Sequence, residues 1–212
     1  MPCMTKMWMN KINKYPLIAI SRLRMNTDGK GVTTLVAGSG CPLSCAYCIN
    51  RDILTKPPTM VTPEELYNKV KTDDLYFTAT GGGIAFGGGE ALLHTEFVRD
   101  FRSICGDKWK LTAETSLNIH TDLVRLASEV FDEFIVDIKT LNPDIYKAYT
   151  GADGALAYSN LQLLASLADP SRIKVRVPLI PKYNTSDDQN TTVSALKKIG
   201  IGNFDLFTYV TR

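Results

Sequence analysis

From about residue 33 onward, short apolar and β-branched runs alternate with longer amphipathic ones. Six runs read as strands: Thr33–Ala37, Ile84–Phe86, Leu111–Glu114, Glu133–Ile138, Lys174–Leu179 and Asp205–Tyr209. Helical periodicity fills the intervals at Pro63–Val70, Thr95–Ile104, Thr121–Val130, Ala155–Ala168 and Asp187–Ile199. Several helix starts are marked. Thr62-Pro63-Glu64-Glu65 offers a capping threonine, a proline at the first helical position and acids in the first turn, and Thr121-Asp122 and Ser186-Asp187-Asp188 are similar. Strands that alternate with helices predict a parallel sheet, and six such units suit an α/β fold of the partial (β/α)6, TIM-like barrel kind. A closed eightfold barrel normally takes more residues. Residues 28–212 are expected to form this core as one domain, with 1–27 as a lead-in segment.

This register also locates the chemistry. In parallel α/β folds, ligands sit beyond the carboxyl ends of the strands, where loops converge and helix N-termini present free N–H groups. Along the fourth strand Asp137 and Lys139 alternate with Val136 and Ile138, so both polar side chains face one side. Two charges in plain core would be costly, which points to a solvated lumen or to a salt bridge at the rim. Arg176 is likewise flanked by Val175 and Val177.

Composition narrows the class. The 212 residues are enough for a substantial single core, and 24 basic against 22 acidic residues leave a net charge of +2. That balance supplies no bulk field for nucleic acid or acidic lipid. No apolar run approaches the length of a membrane span, and no targeting segment is evident, so neither nucleic acid nor membrane is an expected partner. Five cysteines, an odd number, suit a reducing compartment, and a cytoplasmic location is expected.

Three of these cysteines, Cys41, Cys45 and Cys48, follow the first strand in Gly40-Cys41-Pro42-Leu43-Ser44-Cys45-Ala46-Tyr47-Cys48-Ile49-Asn50. Thiolates so closely spaced select iron–sulfur clusters, zinc or copper(I), and a structural site normally closes with a fourth protein ligand. No second pair follows, Cys3 and Cys105 are distant, and His94 and His120 lie well downstream. A four-iron cluster on three thiolates keeps one iron open for a small molecule. Reduced structural thiols, zinc completed by a histidine brought in by folding, and a Cys45/Cys48 redox pair are the competing readings. The run Gly87-Gly88-Gly89-Glu90 after the second strand would let a ligand lie against bare backbone, with an acid able to meet an ammonium group; otherwise it is a tight turn into a helix.

The cysteine spacing, with an aromatic residue before the third cysteine, resembles the radical S-adenosylmethionine (radical SAM) superfamily. Asp28-Gly29-Lys30-Gly31, the cysteine loop, the glycine run through Leu93, Glu114-Thr115-Ser116, Asp137-Ile138-Lys139, Tyr149-Thr150-Gly151 and Arg176 to Pro181 then occur in order. That series is similar to the glycyl radical enzyme activases of the pyruvate formate-lyase activating enzyme type, and it covers nearly the whole chain from Asp28 to Tyr209.

The resemblance implies a radical SAM partial barrel with a [4Fe-4S] cluster on Cys41, Cys45 and Cys48 and S-adenosyl-L-methionine on its open iron. By the same likeness, Gly88, Gly89 and Glu90 meet the cofactor's amino group. Asp137 and Lys139 line its nucleoside and carboxylate part, Arg176 holds its carboxylate or sugar region, and Tyr47 packs over the cluster or the adenine. Glu114 and Thr115 match a position where some activases bind a monovalent cation, although this chain has glutamate in place of the family's aspartate. The implied reaction is oxidoreductive. The reduced cluster passes one electron into the sulfonium, methionine leaves, and a 5′-deoxyadenosyl radical takes a hydrogen atom from a backbone glycine of a partner enzyme, with no side chain needed as general base. A glycyl radical enzyme and a flavodoxin or ferredoxin-type electron donor are therefore the implied partners, in an anaerobic setting.

Two departures stand out, Ile49 and Val210, each where the activase pattern carries histidine. No cysteine-rich insertion lies between Asn50 and Thr62, so auxiliary clusters are not expected. Radical chemistry on a small molecule or peptide, and a non-catalytic iron–sulfur or zinc protein, remain the alternative readings.

Overall fold

The computed structural model describes residues 13–25 and 27–209. Its strands are β1 (Tyr15–Met25), β2 (Val32–Gly38), β3 (Thr59–Val61), β4 (Gly83–Gly88), β5 (Lys110–Thr115), β6 (Glu133–Asp137), β7 (Ile173–Leu179) and β8 (Phe204–Thr208). The helices are α1 (Arg51–Leu54), α2 (Pro63–Val70), α3 (Asp74–Thr80), α4 (Thr95–Cys105), α5 (Thr121–Val130), α6 (Pro143–Thr150), α7 (Ala155–Leu167) and α8 (Ser186–Lys198). All eight strands form one sheet in the order β3-β1-β2-β4-β5-β6-β7-β8. From β2 to β8 every neighbour is parallel, while β1 runs antiparallel to both β2 and β3. The parallel part has six strands and does not close, as expected for the partial barrel.

Side-chain alternation gives the sheet two different faces. Ile84, Phe86, Leu111, Ala113, Phe134, Val136, Val175 and Val177 are at most 1% exposed and point outward into one apolar core shared with α4, α5, α7 and α8. Each of these side chains larger than alanine contributes roughly 1.5–3 kcal/mol by leaving water. The intervening positions, Glu114, Asp137, Arg176 and Asp205, point inward and line a cavity.

Helix starts follow the chemistry of the first turn. Thr62 closes a capping box with Glu65. At α8 the cap is Thr185, paired with Asp188, one residue ahead of the serine singled out above. At α5 it is His120, whose ring accepts the Asp122 N–H, rather than Thr121. Imidazole can substitute there because its unprotonated nitrogen accepts as a cap oxygen does.

β1 is an addition to the six expected strands and lies within the stretch expected to lead into the core. Tyr15 is fully buried and donates its hydroxyl to the Val36 carbonyl at 3.2 Å. The strand opens with the apolar run Tyr15–Ile20, which Pro16 interrupts, and β3 covers only Tyr15 to Leu17, while the half from Ser21 onward is mostly exposed. The register slips between Ser21 and Arg24, where Leu23 takes φ 52°. Such a bulge re-aims side chains, and Arg24 here pairs with the buried Asp28. The turn that follows tucks under the lumen. At Gly29 (φ +118°) a Cβ would stand 2.8 Å from Thr112 Oγ1, so the turn needs glycine both for its backbone and for its space.

Candidate functional site

The lumen opens at the carboxyl ends of the parallel strands into a cavity of about 580 Å³. Its wall includes Cys41, Cys45 and Cys48, Tyr47, Gly88, Gly89 and Glu90, Glu114 and Thr115, Asp137, Lys139 and Arg176. All twelve side chains or backbones singled out in the sequence thus meet at one place. A larger cleft of about 800 Å³ lies at the other end, beside the start of β5. There Asp74 is occupied by the Trp109 indole N–H at 2.6 Å and Tyr67 stacks on Trp109, so its polar and aromatic groups serve packing.

The cysteine loop has almost no secondary structure of its own and is held by neighbours. Ser44 and Ala46 N–H groups donate to the carbonyls of Thr150 and Tyr149 at 2.8 and 2.9 Å, which gives the Tyr149-Thr150-Gly151 motif at the end of α6 its task. Arg51 donates to the Cys45 and Ala46 carbonyls, both at 2.9 Å. Asn50 reaches across to the Gly88 carbonyl at 2.8 Å. Tyr47 is wedged among Tyr149 and Tyr183, with its hydroxyl on the Pro181 carbonyl at 3.3 Å. Ile49 is 87% exposed. Burial pushes the half-buried Cys45 thiol up to about 11. Metal binding therefore has to displace its proton. Among the described residues no three His, Cys, Asp or Glu side chains converge as for one metal ion. A multi-iron cluster spaces its thiolates more widely than a single ion does.

Opposite the thiols runs the glycine strip. Gly89 donates its N–H to the Gly38 carbonyl at 3.0 Å, and Glu90 to the Gly40 carbonyl at 2.8 Å. The backbones lie so close that a Cβ on Gly89 would be 2.1 Å from the Gly40 oxygen. Glu90 is 2% exposed. Burial raises its pKa, and donors from Thr115, Ser116 and Leu92 oppose that rise.

The charged lumen residues occur in two groups. Lys139, 5% exposed, lies 3.2 Å from Asp137 and donates to the Tyr209 hydroxyl at 2.8 Å. Burial disfavours its charge, but Asp137 and Tyr209 outweigh that and hold the ammonium well above its usual range. Arg176 donates to Glu114 at 2.9 Å and to the Thr27 carbonyl at 2.7 Å, and lies 3.6 Å from Asp205. Burial pushes Glu114 up to about 7 against the pull of Arg176, with help from Asp28 and Asp137. The two side chains expected beside a cation are separately engaged, Glu114 by Arg176 and Thr115 by Glu90.

Asn50, Arg51, Ser116 and Tyr209 are site residues to which the sequence alone assigns no role. Asn50 and Ser116 stand within quoted motifs, Arg51 follows one, and Tyr209 ends the last predicted strand, so membership of a motif or strand is the available signal. Of the other cysteines and histidines, Cys105 is a buried thiol. His94 stands at the N-cap position of α4, packed against Tyr15 with its Nε2 2.9 Å from the Ser39 carbonyl. Cys3 and Val210 lie outside the described residues.

The contents of the cavity fit the cofactor pair. Three thiols are available for iron, a side-chain-free backbone strip faces them, and charges of both signs suit a ligand carrying ammonium, carboxylate and ribose. The volume falls within the usual range for small-molecule sites.

Comparison with known proteins agrees. The Radical SAM superfamily profile matches residues 35–192. The pyruvate formate-lyase 1-activating enzyme of Escherichia coli K12 is 30% identical over 166 residues, covering 76% of this chain and 66% of that protein. The pyruvate formate-lyase-activating enzyme of Clostridium pasteurianum is 36% identical over 135 residues, covering 58% of this chain and 52% of its own. The chain therefore spans about half to two-thirds of these relatives. Streptococcus suis SuiB, solved bound to S-adenosylmethionine, superposes with a TM-score of 0.63 at 12% identity over 81% of this chain and 39% of that one, a likeness of fold. Among the described residues no helix is long and apolar enough to cross a membrane.

Proposed function

The chain belongs to the radical SAM superfamily, and from that premise we propose that it is an enzyme that cleaves S-adenosylmethionine reductively to install a glycyl radical on a partner enzyme. The observation that carries the reading is the convergence of three thiols, the glycine strip and the Asp137–Lys139 pair on one cavity. The similarity to two activating enzymes supports the choice of a protein glycine as the hydrogen source.

Cys41, Cys45 and Cys48 would hold the [4Fe-4S] cluster, and the Gly88–Glu90 strip with Asp137, Lys139 and Arg176 would hold S-adenosylmethionine. Together these groups supply one-electron reduction of a sulfonium and hydrogen-atom abstraction. The protein's part is placement and exclusion. Arg51 and the end of α6 hold the shape of the cysteine loop and Asn50 ties it to the strip, so the two halves of the site keep one spacing. Lys139 provides a fixed positive charge for a carboxylate or ribose oxygen, held in place by Asp137 and Tyr209. Tyr47, Tyr149 and Tyr209 line one wall and keep water from it. A flavodoxin or ferredoxin-type donor would deliver the electron.

The test is reconstitution without oxygen, followed by dithionite and S-adenosylmethionine. The expected outcome is 5′-deoxyadenosine and, with a cognate glycyl radical protein present, a doublet in electron paramagnetic resonance. A fully loaded protein that releases no 5′-deoxyadenosine would refute the enzymatic reading. Release without a doublet on any candidate partner would refute the activase part alone.

A further inference from the structure

The family resemblance sets Glu90 opposite the cofactor's ammonium group, yet its surroundings describe another task. Its Oε1 accepts from the Leu92 N–H at 3.2 Å and the Thr115 hydroxyl at 2.6 Å, and its Oε2 accepts from the Ser116 N–H at 2.9 Å and the Ser116 hydroxyl at 2.7 Å. A carboxylate offers about four acceptor directions, and four donors occupy them. Two of those donors are backbone amides, which cannot turn away to make room. The side chain is also 2% exposed, so an incoming cation has little surface to approach.

Glu90 stands at a junction. Its own N–H and that of Gly89 donate to the Gly40 and Gly38 carbonyls, on the lead into the cysteine loop. Asn50 holds the Gly88 carbonyl from the far side of that loop. The carboxylate bolts the same strip to the Thr115–Ser116 exit of β5. The other hydrogen bonds of Gly88, Gly89 and Glu90 named here all run to the cysteine side.

Resting on the radical SAM reading above, we infer that Glu90 is a positioning residue. It acts on S-adenosylmethionine by fixing the Gly88–Gly89 backbone between β5 and the cysteine loop, with its carboxylate committed to Thr115, Ser116 and Leu92 instead of to the ammonium. The two roles predict opposite results when a donor to Glu90 is removed. Losing a donor frees the carboxylate, which would strengthen a direct ion pair and weaken a strut.

The experiment is titration of the cluster-loaded, oxygen-free protein with S-adenosylmethionine by calorimetry, alongside iron content. Ser116→Ala and Thr115→Val should each raise Kd roughly tenfold, the size of one lost hydrogen bond to a charged group, while Ser116→Thr and Thr115→Ser stay within about twofold of the parent. Iron content should be unchanged throughout, which separates this effect from loss of the cluster. Affinity that is unchanged or tighter in Ser116→Ala and Thr115→Val, at equal iron content, overturns the inference. If one position does not tolerate its apolar replacement, the pair at the other carries the same comparison. A loaded parent protein that binds no S-adenosylmethionine defeats the functional reading itself, a result distinguishable from failure of the strut.

Discussion

Lys139 and Tyr209 are 70 residues apart in sequence and meet in the cavity, ammonium to hydroxyl at 2.8 Å. The contact joins the carboxyl ends of β6 and β8 across β7, so the side chain that reads as a cofactor ligand also ties the last strand into the barrel. A buried ammonium that loses an acceptor keeps its desolvation cost, and Asp137 at 3.2 Å is then its remaining partner. Tyr209→Phe keeps the ring against Phe207 and Tyr149. It should lower stability by about 1–3 kcal/mol, read as a shifted urea midpoint at unchanged slope. An unshifted midpoint would mean that the hydroxyl bears no share of the ammonium.

Glu114 predicts a pH dependence. Its ordinary pKa of 4.5 is pushed up to about 7 by burial in the presence of Asp28 and Asp137, while Arg176 pulls the other way. A raised carboxyl means that the folded state holds a proton which the unfolded chain has released. Unfolding free energy contributed by this group should therefore fall as pH rises from about 4.5 to about 7, and level off above. Glu114→Gln removes the titration. The stability difference between parent and variant, measured by denaturant titration at several pH values, should slope in that window and be flat above it. A difference that is constant with pH would refute the assignment.

How far the sequence carried the picture depends on the range of the contacts involved. The six parallel strands and five long helices were legible because each is announced by its own periodicity, and each motif could be placed by the strand it follows. β1 was less legible, since Pro16 interrupts the strand signal of its apolar run Tyr15–Ile20 and the half from Ser21 onward is mostly exposed. α6 was likewise passed over, although Asn142 caps it and Pro143 begins it. In the site, the sequence indicated which residues gather but not what each one touches. Arg176 answers to Glu114, 62 positions away, and Glu90 to Ser116, 26 positions away. Such pairings arise from sheet order and register, which no local pattern encodes.

The cysteines make the sharpest division within one residue type. Cys41, Cys45 and Cys48 line the cavity, whereas Cys105 is buried at the end of α4, 8% exposed and away from it. After oxygen-free reconstitution, Cys41→Ala, Cys45→Ala and Cys48→Ala should each lose most of the bound iron and sulfide. Cys105→Ala should retain them, at a stability cost of roughly 1 kcal/mol for the vacated volume. Iron retained in all three loop variants would contradict the cluster assignment.

The close approach of Gly89 to the cysteine side supplies a test in which backbone spacing alone is altered. A methyl group at this position would sit 2.1 Å from the Gly40 carbonyl oxygen and 3.0 Å from that of Gly38, and both obstacles are backbone. No rotamer relieves such a clash, so the strip and the loop leading to Cys41 have to separate. That separation would strain or break the two hydrogen bonds from Gly89 and Glu90 and shift Cys41 relative to the strip. Gly89→Ala should therefore destabilise the apo-protein by more than about 2 kcal/mol and, where it still folds, bind S-adenosylmethionine far more weakly than it binds iron. Gly202→Ala is the matched control, because nothing lies within 4 Å of a Cβ there. Thermal denaturation of the two variants side by side decides the matter: a Gly89→Ala midpoint equal to that of Gly202→Ala would show that the spacing between strip and cysteine loop is not set by backbone contact.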